Sequence, residues 1–254
     1  MAITIKSERE IELMAEAGKI LERVHNELEK ALRPGMSTKD IDTLGEEIIR
    51  SYGCIPSFLN YNGYPASICV SVNQEVVHGI PDKHRIIQEG DIVSLDAGVI
   101  YKGYHSDAAR THAVGEVSEE AKKLIRVTKE SFFEGIKFAK AGNHLFDISG
   151  AIGRYAEERG YGVVRDLCGH GIGTALHEAP EIPNYEVGRK GVRLRPGMTL
   201  AIEPMINIGT HEVDWLDDDW TVVTRDGSLS AHYENTILIT EGEPRILSLT
   251  CDNE

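Results

Sequence analysis

The chain has 254 residues, and its 27 basic against 41 acidic side chains give a formal net charge of −14 at pH 7, which argues against nucleic acid as a partner because phosphate binding needs a positive surface. Hydrophobic residues at 41% and charged residues at 27% are typical of folded domains, and no apolar run approaches the roughly 20 residues of a membrane span. The four cysteines, Cys54, Cys69, Cys168 and Cys251, are scattered without a CxxC pair, so we expect a reduced protein without disulfides or structural zinc.

Two helices followed by strands are predicted in the first half of the chain. The N-terminal segment MAITIKSERE lacks the apolar core of a signal peptide, and within it Ser7 and Glu10 form a capping-box signature that opens a helix. A second helix is predicted to follow Ser37 or Thr38 and to end at Gly53. Strand-like sequence follows in SICVSV, DIVSLDAGVI and DAARTHAV.

The second half of the chain repeats this plan. Ser118 opens a predicted helix, and a further helix is predicted to end near Gly160. Strand-like sequence follows in MTLAIEP, WTVVT and YENTILIT. We therefore expect an α+β fold, in which one antiparallel sheet is shared by both halves and helices cover one of its faces.

An internal repeat supports this division. Segment 33–53 resembles segment 140–160, and EGDIVSLD, which ends at Asp96, resembles RPGMTLAIE, which ends at Glu203; both pairs are 107 residues apart. Each member of the second pair ends an apolar run on a carboxylate. No linker-like stretch separates the halves, so we expect a single catalytic domain, 1–254, with two pseudo-symmetric halves at about 7–115 and 118–240.

Carboxylates within apolar strand sequence are the main chemical signal. Asp96, Asp107, Glu203 and Glu234 lie in or beside predicted strands, and His170 lies in the glycine-flanked segment CGHGIG. Taken alone, each acid is more simply interpreted as a turn residue or an ion-pair partner. Together, however, four buried carboxylates need compensation, and no lysine or arginine partner is evident in those strands.

Divalent metal supplies that compensation. Two divalent cations would balance the charge of four carboxylates, and oxygen donors with one imidazole suit Mn, Fe, Co or Zn at a catalytic site. Two bridging carboxylates would hold the ions about 3.5–4 Å apart with a water between them. By themselves, His78 and His177 are interpreted as loop histidines. The other histidines are expected to be surface or packing residues, and these are His25, His84, His105, His112, His144, His211 and His232.

Five segments spread along the chain have a distinctive sequence. They are YNGYPASICVSVNQEVVHGIP (61–81), DIVSLDAGVIYKGYHSDAARTHAVG (91–115), GHGIGTALHEAP (169–180), GMTLAIEPMIN (197–207) and SAHYENTILIT (230–240). Through these segments the chain resembles, over nearly its whole length, the family of type I methionine aminopeptidases. The family has the pita-bread fold, a pseudo-twofold antiparallel sheet covered by helices on one face, which agrees with the repeat. It removes the initiator methionine from new polypeptides when the second residue is small.

The resemblance also implies a role for each site residue. Asp96 is implied to chelate one metal ion, Asp107 and Glu234 to bridge two ions, and His170 and Glu203 to complete the other. His78, His177 and Glu203 are implied to be catalytic, with Glu203 as general base, His78 at the scissile amide and His177 near the substrate carbonyl. The implied methionine pocket consists of Phe58, Tyr61, Tyr64, Cys69, Leu176 and Trp220, with His78 and His177 at its edge. Asn62 occupies a position that is often histidine in relatives.

The resemblance implies partners and a location as well. The expected substrate is the N-terminus of a nascent polypeptide, handled by a cytoplasmic monomer without DNA or membrane as a partner. For any contact with the ribosome, the basic stretch GRKGVRLR (188–195) is a better candidate than the acidic segment 210–220, because ribosomal RNA repels acidic loops.

Three alternative functions remain open from the sequence. One is a proline-directed peptidase of the same fold, a prolidase or aminopeptidase P, although such enzymes usually carry an extra N-terminal domain. Another is a non-catalytic pita-bread binding protein, although such proteins generally lose metal ligands. The last is a structural protein in which the acids coincide by chance.

Overall fold

The structure, a computed structural model, describes residues 3–249. Within that range it contains four α-helices: α1 (Glu8–Ala31), α2 (Thr38–Ser51), α3 (Glu119–Ile136) and α4 (Leu145–Glu157). The first-half strands are β1 (Ile55–Pro56), β2 (Ile68–Val72), β3 (Glu75–Val77), β4 (Ile92–Tyr101) and β5 (Tyr104–Ala113). The second-half strands are β6 (Gly162–Val163), β7 (Gly169–Gly171), β8 (Glu178–Ile182), β9 (Thr199–Ile202), β10 (Met205–Asn207), β11 (Val213–Trp215), β12 (Val222–Thr224), β13 (Ser230–His232), β14 (Asn235–Leu238) and β15 (Arg245–Ile246). Of the helices between residues 3 and 249, none is long and apolar enough to cross a membrane.

The predicted helix starts are confirmed by their caps. At α1, the Ser7 hydroxyl accepts the Glu10 amide hydrogen while the Glu10 carboxylate accepts the Ser7 amide, which completes a capping box. Ser37 caps α2 in the same way, and Ser118 caps α3. These side chains satisfy amide groups that a helix leaves without partners at its N-terminus.

Every strand pairing is antiparallel, as predicted, but the hydrogen bonds divide the strands among four sheets. The two largest are a four-stranded sheet built around β4 and a five-stranded sheet ordered β15-β14-β9-β7-β8. These two sheets meet at Ala109 and Glu234, whose amides each donate to the other residue's carbonyl, at 3.4 and 3.0 Å. The halves of the chain are thus joined directly at the centre of the molecule.

Similar turns occur at equivalent positions of the predicted repeat. The Gly35 amide donates to the Ile87 carbonyl at 2.9 Å, and the Gly142 amide donates to the Leu194 carbonyl at 3.0 Å. Both glycines have positive φ, +90° and +93°, a conformation that other residues rarely adopt. The same turn therefore recurs 107 residues further along the chain, as residues 35 and 142 show.

Each half packs its helix pair on its own strands. Leu21 of α1 and Ile49 of α2 belong to one buried cluster with Leu95 of β4. Phe132 of α3 and Ile148 of α4 belong to a second cluster, which contains Leu200 and Ile202 of β9. Side chains alternate between the two faces of a strand. Because Leu95 and Ile202 face the helices, the next residue in each chain segment, Asp96 or Glu203, faces away from them.

Candidate active site

Two neighbouring strands position the carboxylates of the first half. Asp96 lies on β4 and Asp107 on β5, where Asp107 is paired with Gly98. Paired residues of an antiparallel ladder lie on one face, as do residues two apart on a strand. Asp96 and Asp107 are therefore diagonal neighbours on the same face, and the Thr236 hydroxyl accepts the Asp107 amide hydrogen at 2.9 Å.

The second half brings three further side chains to the same place. Asn235 pairs with Ile202 across β14 and β9, which puts Glu234 opposite Glu203. His170 of β7 lies with its Nε2 atom 3.6 Å from Glu203 Oε1 and 3.9 Å from Asp107 Oδ2. One ligand atom from each of Asp107, His170 and Glu234 lies within 4.8 Å of the others. All five sequence-predicted residues line a single cavity.

The carboxylates have the unsatisfied atoms that a metal site requires. Asp96 Oδ1, Asp107 Oδ1 and Glu234 Oε1 are buried without a hydrogen-bond partner, in side chains of residues that are 9%, 4% and 2% exposed. Within residues 3–249, no lysine or arginine pairs with these carboxylates or with Glu203. Arg110 lies on the same strand as Asp107, but its guanidinium donates to the backbone carbonyls of Ala109 and Glu234. The donor set therefore fits a divalent cation, since a buried charge needs a counter-charge or a metal.

The pKa values of the four clustered carboxyl groups are all raised, so without a metal ion these groups favour their protonated form. Burial raises the pKa of Asp96 to about 7 and that of Glu203 to about 8. Burial, reinforced by the charges of neighbouring carboxylates, also raises the pKa values of Asp107 and Glu234 well above their usual range. A cation bound among these groups would reverse this effect, because it favours the deprotonated form.

His170 is arranged as a neutral nitrogen donor. Burial lowers its pKa to about 3, so the ring is uncharged at neutral pH. Its Nδ1–H donates to the Gly171 carbonyl at 2.9 Å, which leaves the lone pair of Nε2 directed at Asp107 and Glu203. A second hydrogen bond of this kind commonly fixes the orientation of a metal-binding histidine.

An apolar chamber forms the other wall of the same cavity, whose volume is about 120 Å³. The Tyr64 and Trp220 rings meet edge to face at 5.1 Å, and the Tyr64 hydroxyl donates to the Gly79 carbonyl at 2.9 Å. Burial raises the pKa of the Cys69 thiol well above its usual value, so the sulfur remains protonated. The cavity is also lined by Asn62 and by all six residues of the predicted methionine pocket, which are Phe58, Tyr61, Tyr64, Cys69, Leu176 and Trp220.

Two further histidines, His78 and His177, line the same cavity. His78 lies 6.2 Å from the Trp220 ring, ring centre to ring centre, and has a φ of +59°, which is strained for a side chain other than glycine. His177 lies 4.2 Å from the His170 ring, and its Nδ1 shares a hydrogen bond of 2.9 Å with the Tyr61 hydroxyl. Burial lowers the pKa of both, that of His78 to about 4, so both rings are neutral at pH 7.

His232 contacts the cluster, and sequence reasoning missed this contact. The residue is 1% exposed, and its Nε2 lies 3.6 Å from Glu203 Oε2, while neither ring nitrogen has a hydrogen-bond partner within the described chain. The available signal was the period of two along a strand, since His232 stands two residues before Glu234. Asn184, whose side-chain amide donates to the Glu203 carbonyl at 3.0 Å, carried no comparable signal.

A comparison with protein families agrees with this geometry. A family model described as "Metallopeptidase family M24" matches residues 12–241. The chain belongs to this family of metal-dependent peptide hydrolases, and its antiparallel sheets with four helices between residues 3 and 249 are the pita-bread fold.

Individual relatives narrow the class to the methionine aminopeptidases. A methionine aminopeptidase from Clostridium acetobutylicum is 58% identical over 97% of this chain and 99% of its own length. The solved methionine aminopeptidase from Thermotoga maritima matches with a TM-score of 0.96 and 48% identity, covering 98% of this chain and 100% of that one. A solved Xaa-Pro dipeptidase from Bacillus anthracis matches 97% of this chain but only 62% of its own, with a TM-score of 0.77 and 27% identity. Similarity to the methionine enzymes is therefore the stronger of the two, which disfavours the proline-directed alternative.

Proposed function

We propose that this protein is a cytoplasmic aminopeptidase that removes the N-terminal methionine from nascent polypeptides when the second residue is small. The observation that carries the proposal is the meeting of two different walls in one cavity. One wall is a buried cluster of carboxylates and histidine, and the other is an apolar chamber. Such a chamber suits an unbranched thioether side chain, and the methionine aminopeptidase relatives align over almost the full chain.

The buried cluster would hold two divalent ions, drawn from Mn, Fe, Co or Zn. Asp96 would chelate one ion, Asp107 and Glu234 would bridge, and His170 and Glu203 would complete the other. Support comes from the unpartnered carboxylate oxygens and from the free Nε2 lone pair of His170. When bound, such ions lower the pKa of water and polarise a carbonyl oxygen.

Three side chains of this cavity would transfer the proton and hydrogen-bond the substrate. Glu203 lines the same cavity as the other carboxylates, and in its deprotonated form it would take a proton from water and pass it to the leaving amine. Neutral His78 would hydrogen-bond the scissile amide. His177, held by Tyr61, would approach the substrate carbonyl.

A peptide assay tests the proposal. Methionine release from Met-Ala-Ser is measured with each of the four metals, with a chelator control and with an X-Pro peptide as the competing substrate. We expect methionine release that the chelator abolishes and that at least one metal restores, with no comparable turnover of the X-Pro peptide. Asp107→Asn should lose activity under the same conditions. Absence of methionine release with every metal would contradict the proposal.

A further inference from the structure

A second cavity adjoins the active-site cavity and forms a groove at the surface. His170 and His177 line both cavities, so the two cavities lie next to each other. Its lining also includes Glu181, Phe146 and Arg189. We call the part beside Glu181, which pairs with His170 on the β7–β8 ladder, the near end of the groove, and the part beside Phe146 and Arg189 the far end. The groove thus begins at the place where the proposed function puts the scissile amide.

The near end of the groove carries an uncompensated negative charge. Glu181 pairs with His170 across the β7–β8 ladder, and paired residues lie on one face, so its carboxylate lies close to the active site. Glu181 is exposed and has no ion-pair partner within residues 3–249. The neighbouring Glu178, by contrast, is neutralised by Lys6, whose Nζ lies 2.7 Å from its carboxylate.

The far end of the groove is positive. The Arg189 guanidinium lies 5.4 Å from the centre of the Phe146 ring, and both side chains also line the next recess of the surface, together with Lys190. In that recess Arg154 and Glu186 neutralise each other at 2.6 Å. Across the described residues, no carboxylate pairs with Arg189, which leaves its charge available to a ligand.

We propose that this groove binds the substrate polypeptide beyond the scissile bond, so that a basic residue early in the chain faces Glu181 and an acidic residue further along faces Arg189. The proposal rests on the aminopeptidase function above. Because the apolar chamber would enclose the methionine side chain, the remaining polypeptide must leave through another opening, and the groove starts at the same two histidines. We place the third residue beside Glu181, which pairs with His170 across the ladder, and later residues beside Arg189, because an extended chain advances about 3.3 Å per residue away from the scissile bond.

Charge-reversal variants and a peptide series test this groove. Eight-residue peptides begin with Met-Ala and carry lysine, serine or aspartate either at position three or at positions five and six. Their kcat/KM values are compared with that of Met-Ala-Ser, which is too short to reach Arg189. The variants are Glu181→Lys, Arg189→Glu and, as a matched control, Arg126→Glu on the exposed surface of α3.

We expect wild type to prefer lysine over aspartate at position three, and aspartate over lysine at positions five and six, each by about fivefold. Glu181→Lys should reverse the first preference and Arg189→Glu the second, and Arg189→Glu should leave Met-Ala-Ser cleavage unchanged within about twofold, because that peptide does not reach residue 189. Both preferences should shrink at high salt, because surface charges are screened.

The failure modes are distinguishable. If neither reversal alters peptide preference while Met-Ala-Ser is still cleaved, the groove is overturned and the aminopeptidase function stands. If Arg126→Glu changes the preferences as much as Arg189→Glu does, the change in net charge of the protein explains the effect. The groove proposal is then overturned as well. If wild type releases no methionine from Met-Ala-Ser with any metal, the proposed function fails and the groove proposal fails with it.

Discussion

Along β4 and β9, successive side chains alternate between the apolar core and the active-site cavity. Leu95 packs beneath the first helix pair, and Asp96 beside it faces the cavity; Ile202 and Glu203 repeat this arrangement in the second half. A slip of one residue in either strand would exchange the two faces, burying a carboxylate among apolar side chains. The register of β4 and β9 is therefore as important to the site as the identity of the ligands.

His78 is expected to act on the substrate without binding metal. Its backbone is held in the left-handed region, with a φ of +59°, a strain that surrounding structure sustains at functional sites. We expect His78→Ala to lower kcat by about 10² to 10³, the usual effect of losing one donor that stabilises a transition state. Metal content measured by mass spectrometry should remain at the wild-type value. Turnover equal to wild type would remove the catalytic role.

Glu203→Gln tests the general base. Glutamine preserves the size of the side chain but cannot accept and release a proton, so we expect kcat to fall by about 10² to 10⁴. The assay is run at saturating metal, because Glu203 is also a proposed ligand, and the bound metal is measured in parallel. Full activity at normal metal content would exclude Glu203 as the base.

At the residue scale, the sequence predicts the side chains that line the cavity better than it predicts the residues that contact those side chains from outside. The carboxylates stand out because they interrupt apolar strands, and resemblance to a known family supplied the pocket residues. His232 could have been found from its position two residues before Glu234, whereas Asn184 was missed because its proximity to Glu203 depends on how a separate loop packs, which no local pattern encodes. The roles of the individual residues stay predictions until variants are measured.

Among the helices, α1 shows how packing overrides helix propensity. Glycine inside a helix is ordinarily less stable than alanine by up to about 1 kcal/mol. At Gly18, however, an added Cβ would lie 2.0 Å from the Leu247 carbonyl oxygen, so the helix and the returning chain would have to separate. We expect Gly18→Ala to lower the free energy of unfolding by about 1–2 kcal/mol, after the propensity gain is subtracted.

Gly150→Ala in α4 is the matched control. Its added Cβ would meet only the Glu186 and Arg154 side-chain ends, at 2.6 and 2.8 Å, and these are flexible groups that can move away. Gly150→Ala should therefore leave the melting temperature unchanged or slightly raised, while Gly18→Ala lowers it by about 2–8 °C. Equal melting temperatures for the two variants, measured by circular dichroism, would contradict this interpretation of the α1 contact.

Elements differ in how far the sequence specifies them. The starts of α1, α2 and α3 were predictable because each cap is a contact between residues three apart in the chain. The division into four sheets was not predicted, because short strands such as β6 and β13 find their partners across long stretches of chain. Local hydrogen bonds leave a sequence signature, whereas pairing between distant strands leaves only alternation, which many registers satisfy.

At the scale of the whole molecule, the site depends on both halves. Asp96 and Asp107 come from the first half and His170, Glu203 and Glu234 from the second, and the Ala109–Glu234 hydrogen bonds join the two sheets between them. We propose that the chain forms one catalytic domain of two pseudo-symmetric halves, 7–115 and 118–240. A bound cation would then link the halves, and its removal would affect the stability of the entire fold.

That link should depend on pH in a defined direction. The folded-state pKa values of Asp96 and Glu203, about 7 and about 8, lie above the ordinary values of 3.8 and 4.5. Between pH 6 and pH 8 the unfolded chain is already deprotonated at these groups while the metal-free folded state still loses protons, so the folded state binds more protons and its stability falls as pH rises. Metal binding requires the deprotonated carboxylates and therefore strengthens over the same interval.

We expect the melting temperature of the metal-loaded protein to exceed that of the chelated protein by more at pH 8 than at pH 6. A metal concentration 100-fold above its dissociation constant adds about 2.7 kcal/mol, which corresponds to several degrees in a chain of this size. Differential scanning calorimetry at both pH values measures the two differences, and Asp107→Asn, which removes a proposed bridging ligand, should shrink both. A difference that is equal at pH 6 and pH 8 would contradict the coupling between these carboxylates and the metal, because protonation of Asp96 and Glu203 would then have no effect on binding.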